Sequence, residues 1–243
     1  MTRTKITVLS IAIAISMTAC TSTSNKSNVA VADNIHSLLC ESQHRQARFV
    51  NEAQAMQLSK KDALKLYKLS GADKKDVVTG FAIAADRPPT VQRAIERLQD
   101  KPTENAFYIE VDIQNLGGLN QVLGHSGADK VYRQMASLTK QQIALLAADS
   151  CDFRHGGDEF SFIVTGEGLT ISHVEHALST ASKNIKLYAE EQSLSDIVHP
   201  KHKNDPSKSG TGIIYGVSQL HAKAEIDTVF STADTIVEKK KLQ

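Results

Sequence analysis

The sequence predicts an α+β domain, an antiparallel sheet with a ferredoxin-like core and surrounding helices, preceded by a small helical region. Three observations predict it. Strand-like apolar runs occupy residues 107–112 and 212–217. Two further runs, 151–154 and 160–164, flank Gly156-Gly157 and read as a β-hairpin. Helical periodicity fills 128–147 and 171–192 between the strands. The order is β-α-β-β-α-β, and its helices are expected on one side of the sheet.

From the N-terminus, Arg3 and Lys5 precede an uncharged stretch, 6–19, with Val8, Leu9, Ile11, Ile13, Ile15 and Met17. A basic start, a short apolar run and a small residue before a cut form the layout of an export signal. The run falls short of the roughly 20 apolar residues that span a bilayer. Met17-Thr18-Ala19-Cys20 resembles a bacterial lipobox, with Met17 where Leu is usual, so Cys20 is the expected lipidation site. Residues 1–20 are read as signal and lipobox, with an uncleaved anchor or a chance apolar start as the alternatives; the first two readings associate the chain with a membrane. Residues 21–32 begin with the small polar run TSTSNKSN and form a flexible tether.

Residues 33–73 form the helical region, where Ile35, Leu38, Leu39, Phe49, Ala53, Met56, Leu64 and Leu66 recur at gaps near three and four. Ser59 with Asp62 three positions on reads as the capped start of a second helix, 60–69, closed by Gly71. This region is either a pairing element or helices packed on their own domain. Pro88-Pro89 sits at the start of another helix, 90–98. After the strand ending at Asp112, Gly124 precedes the helix at 128. The hairpin, the helix 171–192, a polar loop with Pro200 and Pro206, the strand 212–217 and a last helix, 226–241, follow.

Composition excludes little: 41% hydrophobic and 23% charged residues describe an ordinary globular chain. The net charge of +1, the 5% aromatic content and the absence of Trp give no reason to expect nucleic acid as a partner. Cys40 and Cys151 could pair in an oxidising compartment, but they are far apart in sequence, and a free buried thiol is expected at each. His199 and His202 lie in the polar loop without a carboxylate or cysteine at ligand spacing, so no metal role is expected for them.

Three acidic positions carry chemistry: Asp112 at a strand end, and Asp158 with Glu159 in the hairpin turn. Neighbouring strands bring such ends together. Clustered carboxylates repel unless a cation neutralises them, and an all-oxygen set suits a hard ion such as Mg²⁺. Gly156 and Gly157 leave bare backbone that a phosphate can approach. Taken alone, an acidic Gly-rich turn is also what a solvated hairpin tip looks like.

Arg154-His155-Gly156-Gly157-Asp158-Glu159-Phe160 contains the GGDEF motif with the Arg that usually precedes it, and the chain resembles the GGDEF family of diguanylate cyclases over 74–243. Asp76-Val77-Val78-Thr79-Gly80-Phe81 is similar to the family's opening Asp-x-Leu-Thr-Gly-Leu. Asn120, Gly124, His125 and Asp129 match Asn-Asp-x-x-Gly-His-x-x-Gly-Asp, Tyr215-Gly216-Val217 resembles a late Ile-Gly-Val strand, and Ala233-Asp234 with Lys241 matches the closing stretch. The resemblance implies a nucleotidyl-cyclase-like fold and condensation of two GTP into cyclic di-GMP and pyrophosphate. It implies Mg²⁺ (or Mn²⁺) held by Asp112, the Ile113 carbonyl, Asp158 and Glu159, with Asp158 and Glu159 catalytic. Asn120 and Asp129 would read guanine, Gly156, Gly157 and Lys241 would meet phosphate, and a homodimer would bring two GTP together.

The departures from the pattern are specific. Where the family has Asp-x-Asp-x-Phe-Lys, this chain has Asp112, Gln114, Leu116 and Gly117, which loses a phosphate-binding Lys. Gln121 replaces an Asp, and the terminal Arg is missing beyond Lys241. Each lost cation would cost about 1.5–3 kcal/mol of charged hydrogen bonding. At the product-binding Arg-x-x-Asp the chain reads Ala147-Ala148-Asp149-Ser150, so feedback inhibition there is expected to be absent. Lys239, Lys240 and Lys241 could equally form a solvated helix end favoured by the helix dipole. These losses keep open a catalytically silent GGDEF module that binds nucleotide or protein. Export would also part the domain from cytosolic GTP, so the side of the membrane stays undecided at this stage.

Overall fold

The computed structural model describes residues 39–146, 148–199, 201 and 210–242. The signal and lipobox with Cys20, the tether, the start of the helical region and His202 lie outside the described residues. No helix among the described residues is long and apolar enough to cross a membrane. The chain divides into two compact units, Met1–Lys74 and Lys75–Gln243.

In the first unit, α1 (Glu41–Ala55) and α2 (Lys60–Leu69) pack Val50, Ala53 and Ala63 against Phe49, Leu58 and Leu64. The capped start is present, with the Asp62 amide donating to Ser59 Oγ at 3.2 Å. Gly71 follows α2 with φ +70°. The Phe49 and Tyr67 rings lie 5.4 Å apart. Met56, in the expected apolar stripe, is exposed because it is the C-cap of α1, where the helical phase ends. Cys40 and Cys151 are both disulfide-bonded, which corrects the expectation of free thiols. Local sequence around a cysteine does not reveal whether another sulfur lies within bonding reach.

The second unit opens on a turn in which Asp76 Oδ1 accepts from the Val78 and Thr79 amides and from Thr79 Oγ1. A two-residue strand β1 (Ala82–Ile83) leads through a 3-10 turn to α3 (Arg87–Asp100), which carries Pro88-Pro89 in its first turn. The chain continues through β2 (Glu104–Ile113), α4 (Leu116–Ala144), β3 (Asp149–Arg154), β4 (Glu159–Glu167), α5 (Ile171–Glu191), β5 (Ile213–Leu220) and α6 (Ile226–Lys241). The strand order is β1-β3-β4-β2-β5. The four longer strands pair antiparallel as expected. The edge strand β1 pairs parallel with β3 and makes the sheet mixed. At two residues it is too short to leave a period-two pattern in the sequence.

β2 lies between β4 and β5, and its alternating side chains are buried on both faces of the sheet. Phe107, Ile109, Val111 and Ile113 join Val131, Tyr132 and Met135 of α4 and Leu178 and Ile185 of α5 in the main core. Tyr108, Glu110 and Asp112 face the other way, toward Arg87 of α3 and Phe230 and Lys241 of α6. Helices therefore cover both faces rather than one. α4 also begins 12 residues earlier than the expected 128, at Leu116. Gly117, Gly118 and Gly124 weaken its helical signature, while burial of Leu119 holds the first stretch in place. At Gly124 the backbone leaves the helix, with φ 68° and ψ 167°.

Candidate active site

Asp112 stands directly opposite Glu159 in the β2–β4 register, and the Ile113 amide donates to the Asp158 carbonyl at 2.9 Å. These pairings draw the acidic residues into one place: a carboxylate oxygen from each of Asp112, Asp158 and Glu159 lies within 4.8 Å of the other two. Burial raises the Asp112 pKa, and the charges of Asp158 and Glu159 add to that, outweighing Lys241. Three oxygen donors so placed fit a hard divalent ion.

The turn is shaped for this cluster. A Cβ on Gly156 would fall 2.3 Å from Glu159 Oε2, so the carboxylate rests against bare backbone. Gly157 has open space around it. Arg154 fastens the hairpin from behind, with Nη1 on Asp76 Oδ2 at 3.2 Å and Nη2 donating to the Gly157 carbonyl at 2.9 Å. Its guanidinium also stacks 4.3 Å from the Tyr132 ring centre. Burial acts to raise the Asp76 pKa, but hydrogen bonds from Thr79 and the charge of Arg154 together hold it below the usual value. The opening Asp-x-x-Thr-Gly turn and the Gly-Gly hairpin are thereby tied together. The sequence offered both ends of this clamp without showing that they meet.

Lys241 Nζ lies 2.8 Å from Asp112 Oδ2 and 2.9 Å from Glu238 Oε1. Burial acts to lower its pKa, but the hydrogen bonds to Asp112 and Glu238 outweigh this and raise it. Lys240 donates to the Tyr215 carbonyl at 2.8 Å and sits over the Tyr215 ring. These two lysines are therefore pinned rather than loose at a solvated helix end. Gly216 permits the close seat of α6, since a Cβ there would meet the Ala233 carbonyl oxygen at 2.1 Å.

Asn120 and Asp129 lie on α4, on either side of the break at Gly124, and both are half-buried. One turn beyond Asp129, Tyr132 Oη donates to the Glu159 carbonyl at 3.2 Å and joins this part of α4 to the hairpin. At Gly117, a Cβ would fall 2.6 Å from Nε2 of His199, so an imidazole packs where the resemblance expects a lysine. Asp149 is ion-paired with Arg97 at 2.7 Å. Two participants were not singled out in the sequence, Glu110 and His155. A carboxylate inside the apolar strand Phe107-Tyr108-Ile109-Glu110-Val111 was a signal, because a buried charge requires a partner.

Residues 74–243 match the family described as diguanylate cyclase, GGDEF domain. The chain belongs to the GGDEF family. No curated protein sequence matches it. Among solved structures, the coiled coil and GGDEF domain of DgcB from Caulobacter crescentus, in complex with c-di-GMP, superposes with a TM-score of 0.56 at 18% identity. That match covers 81% of this chain and 93% of the other. Diguanylate cyclase SiaD from Pseudomonas aeruginosa, in complex with its activator SiaC, gives 0.55 at 17% identity over 89% and 74% of the two chains. The FimX GGDEF domain from the same organism gives 0.50 at 17% identity, covering 68% and 91%. At these identities the neighbours establish the GGDEF α+β fold, and the chemistry rests on this chain's own residues.

Proposed function

We propose that this GGDEF protein is a diguanylate cyclase, converting two GTP into cyclic di-GMP and two pyrophosphates. The observation that carries the reading is the convergence of Asp112, Asp158 and Glu159 within 4.8 Å of one another. These carboxylates, with the backbone of Ile113, would hold Mg²⁺ or Mn²⁺, which when bound polarises phosphate and lowers the pKa of an attacking hydroxyl. Asn120 and Asp129 accept and donate at the guanine edge, and an Asp facing guanine N–H groups pairs poorly with adenine. The Gly156–Gly157 backbone receives phosphate oxygens, and Lys241 offsets their charge as a point cation. Asp158 takes the proton of the 3′-hydroxyl as its oxygen bonds the α-phosphorus of the second GTP, whose pyrophosphate leaves. Each domain holds one GTP, so the product forms in a homodimer.

The test is incubation of the purified chain with GTP and Mg²⁺ or Mn²⁺, with nucleotides resolved by chromatography. Cyclic di-GMP is the expected product, and Glu159→Gln is expected to abolish it while the fold is retained. Absence of cyclic product at high protein concentration overturns the reading.

A second reading is a silent GGDEF module that binds nucleotide or a protein partner, and one observation favours it. Cys40 and Cys151 are disulfide-bonded, and disulfides persist in oxidising compartments outside the cytosol. That agrees with export and with membrane attachment through Cys20, on the side where GTP is scarce. Gly117 and Gln114 in place of charged residues point the same way. Fusion to a reporter active only in the periplasm decides the side. A periplasmic signal with no cyclic product supports the module.

A further inference from the structure

Behind the acidic cluster, on the same face of the sheet, lies a second polar group that the chemistry above does not use. Glu110 precedes Asp112 by two residues on β2, so both side chains point toward α3 and α6. Its carboxylate is 9% exposed. The hydroxyl of Tyr108 donates to it, and Arg87 Nη1 lies 3.7 Å from Oε2 while donating to Tyr108 Oη at 3.0 Å. Arg87 is itself stacked over the Phe230 ring, 4.3 Å from its centre. Glu110 is thus anchored by Tyr108 and Arg87 before any other group is counted.

His155 occupies the space between this anchor and the cluster. Its side chain is 9% exposed, with Nε2 2.9 Å from Glu110 Oε1 and Nδ1 3.7 Å from Glu159 Oε2. The approach to Glu110 lies off the line an N–H would take, so it is a close polar contact rather than a hydrogen bond. One ring therefore faces two carboxylates, a buried one and one of the cluster. On its other side the Glu159 carboxylate rests against Gly156, where a Cβ would be 2.3 Å away. A purely space-filling side chain would not need its second nitrogen turned toward Glu159.

The geometry points to His155, braced by Glu110, as a positioning residue that fixes where the Glu159 carboxylate lies and thereby sets the cluster's affinity for a divalent cation. This rests on the reading of Asp112, Asp158 and Glu159 as a cation site. Groups that hold a metal-binding side chain in place typically account for about 10–100-fold in metal affinity. His155 acts in this way through Glu159, and Glu110 acts through His155.

The experiment is titration of the full chain with Mn²⁺ in the absence of nucleotide, followed by electron paramagnetic resonance, with thermal unfolding measured alongside. His155→Phe keeps the ring volume and removes both nitrogens. It is expected to weaken Mn²⁺ binding about 10–100-fold. His155→Gln, whose amide can still reach toward Glu159, is expected to recover part of that loss, and Glu110→Gln to fall between it and the parent. Parent-like Mn²⁺ affinity in folded His155→Phe overturns the inference and reduces His155 to a packing residue. Should His155→Phe not fold, parent-like affinity in His155→Gln overturns it equally. If the unaltered chain binds no Mn²⁺, the cation reading falls and takes this inference with it; if only the variants match the parent, the cation reading stands alone.

Discussion

The clamp between Asp76 and Arg154 gives a prediction whose size can be worked from the structure. In Asp76→Ala, the Arg154 guanidinium loses its carboxylate, 3.2 Å away, with side chains only 19% and 16% exposed. Breaking a buried pair costs about 3–5 kcal/mol, and the remaining exposure reduces that. The turn also loses the acceptor for the Val78 and Thr79 amides. Arg154 keeps the Gly157 carbonyl and the Tyr132 ring, which limits the damage. A net cost of about 3 kcal/mol follows, or a fall in melting temperature of roughly 6–12 °C for a unit of this size. Asp76→Asn keeps an acceptor for Thr79 but no charge for Arg154, and is expected to fall about halfway. The pH dependence has a definite sign. The folded-state pKa of Asp76 lies below its ordinary value of 3.8. Its contribution is therefore fully present above that value and is lost as pH falls through the lower folded pKa. Circular dichroism melts at neutral and acid pH measure both effects. A melting temperature for Asp76→Ala within about 2 °C of the parent at neutral pH refutes the clamp.

Three further outcomes are expected. Gly157→Ala should fold normally and lose nucleotide affinity, whereas Gly156→Ala should displace Glu159 and weaken Mn²⁺ binding, because only the second Cβ meets Glu159; calorimetry with each ligand separates them. Lys241→Met should bind Mn²⁺ more tightly by about tenfold and GTP more weakly, since Nζ and an ion compete for Asp112 Oδ2 and tenfold is about 1.4 kcal/mol. Equal loss or equal gain for both ligands would contradict this. Cys40 and Cys151 should resist a thiol reagent in denaturant until reductant is added, and Cys151→Ser should cost about 2–4 kcal/mol in urea unfolding.

The strand ending in Asp112 and the hairpin around Gly156-Gly157 were legible because a mostly apolar run and a two-glycine turn leave strong local patterns. The last helix, Ile226–Lys241, was legible for the same reason. What the sequence hid was pairwise. β1 owes its existence to β3, and the first turns of α4 form despite Gly117 and Gly118 because Leu119 is buried. The two-sided cover of the sheet was concealed because nothing local to Tyr108, Glu110 and Asp112 shows that α3 and α6 enclose them. In the site, residue types near Asp112, Asp158 and Glu159 announced oxygen chemistry. The contacts from Arg154 to Asp76 and from His155 to Glu110 join residues 78 and 45 positions apart, and no local signal encodes such distances.

The departure from helix at Gly124 governs which way two distant side chains look. Asn120 and Asp129 are nine positions apart, and on a continuous α-helix nine steps of about 100° amount to two and a half turns. The pair would then radiate in opposite directions, and no single planar base could touch both. Inserting one residue at φ 68° and ψ 167°, a combination open essentially to glycine alone, resets the angular phase between the two stretches. Under the proposed function, selectivity for one purine over another would thus hinge on a residue with no side chain at all.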